Sequence, residues 1–245
     1  MRQTWRDLLF AHWPVAAEYL RPLLPPGLTL QTFDGRAWIG ITPFLLTGLR
    51  LRALPPLPGL SRFAEINVRT YVTTEGRPGV FFFSLDAAHA LAVTSARLVY
   101  RLPYARARIV VRRTPDGIAY ASRRVERKAP PAEFAARYRP TGEVSVAAPG
   151  TLAHWLTERY CLYAVDRRGG LHRAEIHHPP WPLQPATVEI ERNTMTAALG
   201  LTLPGAAPLV QFAERLDVHV WAPSPLLTAR PARGAADAAR EERTG

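Results

Sequence analysis

In Phe63-Ala64-Glu65-Ile66-Asn67-Val68-Arg69-Thr70-Tyr71-Val72, side chains able to bind, orient and move protons recur at every second position. In an extended strand that spacing puts Phe63, Glu65, Asn67, Arg69 and Tyr71 on one face, and Ala64, Ile66, Val68, Thr70 and Val72 on the other. The second set is a core face. The first, three polar groups bracketed by two aromatics, has the make-up of a pocket wall; a wet outer surface would carry the same residues. Arg69 offers a planar fork of donors that fits a carboxylate or phosphate and stays protonated. Glu65 is a candidate acid or base if burial raises its pKa, or else the partner that balances Arg69. Asn67 and Tyr71 would orient a ligand. This chemistry suits a small anion bearing a carboxylate or a phosphate.

The elements that must position this face are legible along the chain. Leu8, Leu9, Trp13, Ala16, Ala17 and Leu20 recur near helical spacing and predict a helix over 5–24, broken or opened at Pro14. Segments 28–33 and 37–44 flank Asp34-Gly35 and predict a hairpin. A proline-punctuated loop at 54–59 precedes the strand at 63–73, a turn at 75–79 and a strand at 80–85. In that last strand the run Val80-Phe81-Phe82-Phe83 is apolar on both faces, which predicts burial on both sides. An Ala- and Leu-rich helix is expected over 87–100, a hairpin from 104–113 and 118–125, and a helix over 151–160 capped by Thr151. Strands are expected at 161–165, 171–178, 187–190 and 209–221. Roughly eight to ten strands and about three helices make the chain mostly β (α+β), a curled or closed antiparallel β-barrel with the helices outside. One domain is expected over 1–227. Residues 228–245, small and charged without periodicity, read as a disordered tail.

Composition narrows the function classes. The 245 residues, 47% hydrophobic, suffice for one substantial core. A single cysteine, Cys161, excludes an internal disulfide, and in its apolar surroundings reads as a small buried hydrophobe rather than a catalytic thiol. His177 and His178 face opposite ways on a strand, and together with His12 they suggest no metal site. With no Gly-rich phosphate loop and no nucleophile elbow, neither metal nor cofactor is expected. The chain shows no signal peptide and no run of about 18 apolar residues, which predicts a cytoplasmic protein without a membrane segment. The formal charge is +11, and residues 101–128 hold nine basic residues against two acidic ones. There Arg106, Arg108 and Arg112 alternate, as on the solvated face of a hairpin; a subunit contact or a site for phosphorylated ligands would use the same pattern. Nucleic acid is disfavoured as a partner because no binding motif accompanies the charge.

A resemblance rests on Leu9-Phe10-Ala11-His12-Trp13-Pro14-Val15, Leu24-Pro25-Pro26-Gly27-Leu28, Phe33-Asp34-Gly35-Arg36-Ala37-Trp38-Ile39-Gly40 and Pro43-Phe44. It continues through Glu65-Ile66-Asn67-Val68-Arg69-Thr70-Tyr71-Val72, Phe82-Phe83-Ser84-Leu85-Asp86-Ala87 and Leu102-Pro103-Tyr104. Thr157-Glu158-Arg159-Tyr160 and His178-Pro179-Pro180-Trp181 extend it. These stretches resemble the YqjF-like uncharacterised proteins, domain-of-unknown-function family 2071, a family without settled activity. The resemblance implies a fold similar to acetoacetate decarboxylase, an antiparallel barrel with outer helices and an interior site, and points to a homo-oligomer. In those decarboxylases a lysine forms a Schiff base with a β-keto acid beside glutamates and an arginine. Their glutamate on the preceding strand resembles Glu65, and the lysine's place falls at Pro103-Tyr104-Ala105, so Tyr104 would line the pocket. No amine stands there. Arginine cannot replace it, and Lys128, the only lysine, sits among arginines and prolines in what reads as a solvated turn. Lysine-dependent decarboxylation is therefore not expected. Three classes stay open: a barrel that binds a small organic anion, of the keto- or hydroxy-acid type the resemblance implies, with or without turnover; a non-catalytic ligand sensor or partner-binding module; and a nucleic-acid binder using 101–128.

Overall fold

The structure is a computed structural model that describes residues 1–50, 61–166 and 168–226. The loop expected at 54–59 and the tail expected from 228 lie outside the described residues. The chain opens with strand β1 (Arg2–Val15), helix α1 (Ala17–Leu20) and a 3-10 turn (Arg21–Leu23), then β2 (Thr29–Leu30), β3 (Ala37–Arg50), β4 (Arg62–Thr74) and β5 (Arg77–Ala87). Helix α2 (Ala90–Val99), β6 (Tyr104–Thr114), β7 (Gly117–Arg124), β8 (Glu133–Pro140) and α3 (Leu152–Thr157) follow. The chain continues through β9 (Cys161–Val165), β10 (Leu171–His177), β11 (Gln184–Asn193), a 3-10 turn (Ala197–Leu199), β12 (Leu209–Val220) and β13 (Ser224–Pro225).

The strands form one sheet ordered β13-β10-β9-β5-β6-β7-β8-β11-β12-β1-β3-β4-β2, and additional β4–β5 and β10–β12 pairings curl it back on itself. The mostly β, helix-poor architecture agrees with the sequence. The sheet is not purely antiparallel, however: β5 runs parallel to both β6 and β9. Helix α2 explains the first case, since a parallel neighbour needs a crossover and the helix between β5 and β6 supplies it. The thirteen described strands also exceed the expected number. In β8, Phe134, Ala136 and Tyr138 are buried and Arg137 and Arg139 exposed, a period of two hidden among Ala and Arg, both good helix formers.

The N-terminal segment is the main correction. Where a helix was expected over 5–24, the chain forms a long strand, with helix only at Ala17–Leu20. Leu8 and Phe10 pack into one core while Leu9, Ala11 and Trp13 pack into another. A strand buried on both faces is apolar at successive positions and shows no period of two. A bulge around Asp7, whose φ is 54°, shifts its register against β3. Pro14 is tolerated because pairing with β12 ends at His12, which leaves β3 as its only strand neighbour among the described residues.

Asp34 and Gly35 adopt the positive φ values, 48° and 74°, of a tight hairpin turn. That turn closes only the Phe33–Arg36 bridge, and β2 pairs with β4 rather than β3. Thr151 caps α3 as expected, its hydroxyl accepting from the His154 amide at 3.3 Å. The basic hairpin forms as β6 and β7, with Arg106, Arg108 and Arg112 exposed. Among the described residues, no helix is long and apolar enough to cross a membrane.

Two large cores result, separated by β1, β3 and β4, beside a small third cluster of Val72, Cys161 and Tyr163. One face of the three strands packs against Ile118, Tyr120, Phe134 and Tyr138 of β7 and β8. The other looks into the curl of the sheet, where Phe10, Trp38, Phe44, Tyr71 and Trp181 cluster.

Candidate functional site

Strand β4 presents Phe63, Glu65, Asn67, Arg69 and Tyr71 to the inside of the curl, and none is more than 8% exposed. The opposite face, from Ala64 to Val72, is buried too, so the strand has no wet side. A bare surface ladder is excluded. What positions the polar groups is cross-strand register: His12 pairs with Gly40, and Gly40 with Arg69, in one row across β1, β3 and β4. Gly40 has to be small. A Cβ there would lie 2.9 Å from His12 Cδ2 and 3.4 Å from Arg69 Cγ, so its absence lets both side chains close over β3. In the next row Thr42 pairs with Asn67, and beyond that Phe44 pairs with Glu65.

Arg69 lies with its guanidinium carbon 5.0 Å from the centre of the Phe10 ring. Its Nε is buried without a hydrogen-bond partner among the described residues. Of the two roles open to Glu65, an ion pair with Arg69 is not the one that forms. Glu65 instead accepts a hydrogen bond from the Tyr104 hydroxyl at 3.0 Å, while Tyr120 donates to the Glu65 backbone carbonyl at 2.8 Å. The nearby carboxylate, Asp86, is held by Arg124 at 2.8 Å in a buried pair. Burial pushes the Glu65 carboxyl up to about 8; the Tyr104 hydrogen bond lowers it and the charge of Asp86 raises it. Glu65 is thus mostly a neutral acid at pH 7.

His12 Nε2 lies 2.6 Å from the Tyr71 hydroxyl. Burial, and then the charge of Arg69, hold the imidazole well below its ordinary pKa, so His12 is neutral. Above the Tyr71 ring stands a second buried guanidinium, Arg159, whose central carbon is 5.1 Å from that ring and 4.5 Å from the ring of Trp155. The interior therefore holds two cations beside Tyr71, and among the described residues no carboxylate forms an ion pair with either. Arg159 Nη2 and the indole N–H groups of Trp5, Trp38 and Trp181, which belong to or pack on the same core, are buried donors without a partner among the described residues. Trp181 stacks on Trp5 and meets Phe10 edge-on at 4.7 Å, which joins these donors to the Arg69 side of the interior.

Of the residues singled out from the sequence, Glu65, Asn67, Arg69 and Tyr71 line one buried face of β4, and Tyr104 joins that face through its bond to Glu65. Asn67 Oδ1 has no partner among the described residues, and Tyr104 stands beside Glu65. Sequence reasoning missed His12 and Arg159 as members of this group. In the sequence both stand inside family-like stretches, where no periodic pattern ties either to the β4 face. That stretch turns out to be packed against the other late one: Glu158 accepts from the Trp181 amide at 2.9 Å, and His178 lies 3.3 Å from the Arg159 carbonyl.

Other candidates resolve differently. Cys161 is buried, its thiol 3.3 Å from the Pro78 carbonyl and pushed up in pKa by burial, which suits a packing residue. His178 is buried and His177 is exposed on the opposite side. Among the described residues, no three His, Cys, Asp or Glu side chains gather as a metal site. Lys128 lies on an exposed turn. Two open surface grooves, of about 790 Å³ beside Trp13, Leu201 and Leu203 and about 540 Å³ beside Asp7 and Arg113, lie away from the Glu65–Arg69 face. We place the candidate chemistry in the interior because the perturbed and unpartnered groups converge there.

Comparison with known proteins bears on the family and the fold. The model of the DUF2071 family, described as an uncharacterized conserved protein, matches residues 2–217. The uncharacterized protein YqjF of Bacillus subtilis (strain 168) is 50% identical over 221 residues, covering 90% of each chain. Among solved structures, an acetoacetate decarboxylase-like enzyme from Sphingomonas wittichii RW1 is similar with a TM-score of 0.59 at 14% identity, covering 92% of both chains. The enduracididine biosynthesis enzyme MppR complexed with pyruvate also has a TM-score of 0.59, at 13% identity, covering 91% of this chain and 89% of that one. At such identities these structures establish the fold alone.

Proposed function

The chain belongs to the DUF2071 family of uncharacterized conserved proteins, and from that premise we propose that its interior binds a small organic anion, anchored by Arg69, with Glu65 as the acid or base. The observation that carries this reading is a guanidinium only 8% exposed, with an unpartnered Nε and, among the described residues, no carboxylate in ion-pair range. A buried charge is costly unless compensated, and an anionic ligand would compensate it. The buried unpartnered groups are predominantly donors, as an acceptor-rich ligand requires. Asn67 and Tyr71 would orient that ligand, and Tyr104 would steady Glu65. The solved MppR complex holds pyruvate, a small keto acid, in a similar fold.

Glu65 supports turnover over mere sensing. A carboxyl near pKa 8 does not repel an anion at neutral pH, and it can give up or take a proton there. The chemistry would not be that of an imine: Lys128 is exposed on a turn, and the resemblance to the decarboxylases implies Tyr104 where they carry an amine. The test is ligand-induced thermal stabilisation by a panel of keto and hydroxy acids. Arg69→Ala should abolish it while the ligand-free protein stays folded. An Arg69→Ala protein that is still stabilised by the same acids would remove the anchor from the proposal.

A further inference from the structure

Arg159 is the second buried cation of the interior, and the anchor described above does not use it. It follows α3, is 7% exposed, and is held from several sides. Its Nε donates to the Trp155 carbonyl at 2.7 Å and its Nη1 donates to Gln31 at 2.6 Å, while Nη2 is buried without a partner among the described residues. Glu158, next to it in sequence, is occupied by the Trp181 amide and by the Tyr160 hydroxyl at 2.5 Å, so it does not neutralise the guanidinium. Burial first, and the charge of Arg69 after it, lower Arg159 to about 10, which leaves it charged at neutral pH. Both arginines act on Tyr71, Arg69 from its own strand and Arg159 from above the ring. Two like charges brought into one dry interior repel each other, and a single monoanion would satisfy only one of them.

We propose that Arg159 is a second anion anchor, and that the interior takes a small dicarboxylate, one carboxylate on Arg69 and the other on Arg159. This rests on the reading of Arg69 as an anion anchor and adds the class of ligand. The rigid mounting of Arg159 is what a positioning role needs. The segment Glu158-Arg159-Tyr160 is pinned to the His178–Trp181 turn by the bonds just described and by stacking of Tyr160 on His178 at 4.7 Å.

The experiment is calorimetric titration at pH 7 and constant ionic strength with matched pairs, succinate against butyrate and glutarate against valerate, and with inorganic phosphate. The wild-type protein should bind one dicarboxylate about tenfold or more tighter than its monocarboxylate partner, as one charged hydrogen-bonding anchor implies. Arg159→Gln should erase that preference and leave the monocarboxylate affinity within about twofold, whereas Arg159→Lys, which keeps the charge, should retain part of it. Equal affinity of the wild-type protein for both members of each pair overturns the second anchor while leaving the first, and needs no variant to fold. A preference that survives in Arg159→Gln does the same, and phosphate outcompeting both dicarboxylates overturns the ligand class. Absence of binding by every carboxylate tested overturns the Arg69 reading itself.

Discussion

The Tyr71 hydroxyl and His12 Nε2 sit 2.6 Å apart although 59 positions separate them in the chain. The bond reaches from β4 to β1 across β3, and Gly40, where a Cβ would meet the His12 ring, leaves that ring room to make it. A neutral imidazole is thereby placed next to Arg69 without adding charge, so the guanidinium keeps its capacity for an anion.

Gly40→Ala should expose this dependence. The new Cβ would lie 2.9 Å from His12 Cδ2 and 3.0 Å from Nε2, and a buried ring flanked by Phe10 and Tyr71 has little room to yield. We expect a loss of about 1–3 kcal/mol in chemical denaturation, the usual cost of overpacking. Stabilisation by organic anions should weaken as well. Unchanged stability together with unchanged ligand response would mean that the row His12–Gly40–Arg69 has no part in binding.

Glu65 makes a pH prediction with a definite sign. Its carboxyl titrates near 8 in the fold and at about 4.3 in the unfolded chain, so between these values only the folded state keeps the proton. Stability therefore falls as pH rises through this window and levels off above it. His12, held below its ordinary value, acts with the opposite sign below about pH 6.5, which leaves pH 6.5–8 as the cleaner interval. Glu65→Gln should remove the Glu65 contribution, and its stability relative to wild type should grow by about 2 kcal/mol between pH 6.5 and 8. Tyr104→Phe deletes the hydrogen bond that lowers this carboxyl and should move the decline to higher pH. Parallel urea-denaturation curves for wild type and Glu65→Gln across that interval would show an ordinary carboxylate instead.

Lys128 should be dispensable. Incubation with acetoacetate or pyruvate followed by borohydride should leave the protein mass unchanged, because the one primary amine of a side chain lies on an exposed turn. Lys128→Arg should show the same ligand-induced thermal shift as wild type. A reduced adduct mapped to Lys128 would restore imine chemistry to the protein.

The strand carrying Glu65, Asn67, Arg69 and Tyr71 was legible because alternation is local and its apolar partner face is unbroken. The turn at Asp34-Gly35 and the Thr151 cap were legible for the same kind of reason, since each depends on a few adjacent residues. The strand around His12 was not. Its two faces enter two different cores, so successive apolar residues mimic other periods. Nor was the place of Arg159: nothing periodic marks it, and its position follows from the His178–Trp181 turn that packs on it.

From its amino-acid order alone this protein had a mostly β fold, one strand with chemistry on a single face, and a single lysine, Lys128. These follow from backbone geometry and from side-chain identity, which hold wherever the chain goes. Whether that face met water or a dry interior depended on how the sheet curls and which distant strands pair, and so did the convergence of His12, Gly40, Arg69 and Arg159. Desolvation sets the ionisation of Glu65 and the worth of both guanidiniums, and desolvation is a property of the packed whole.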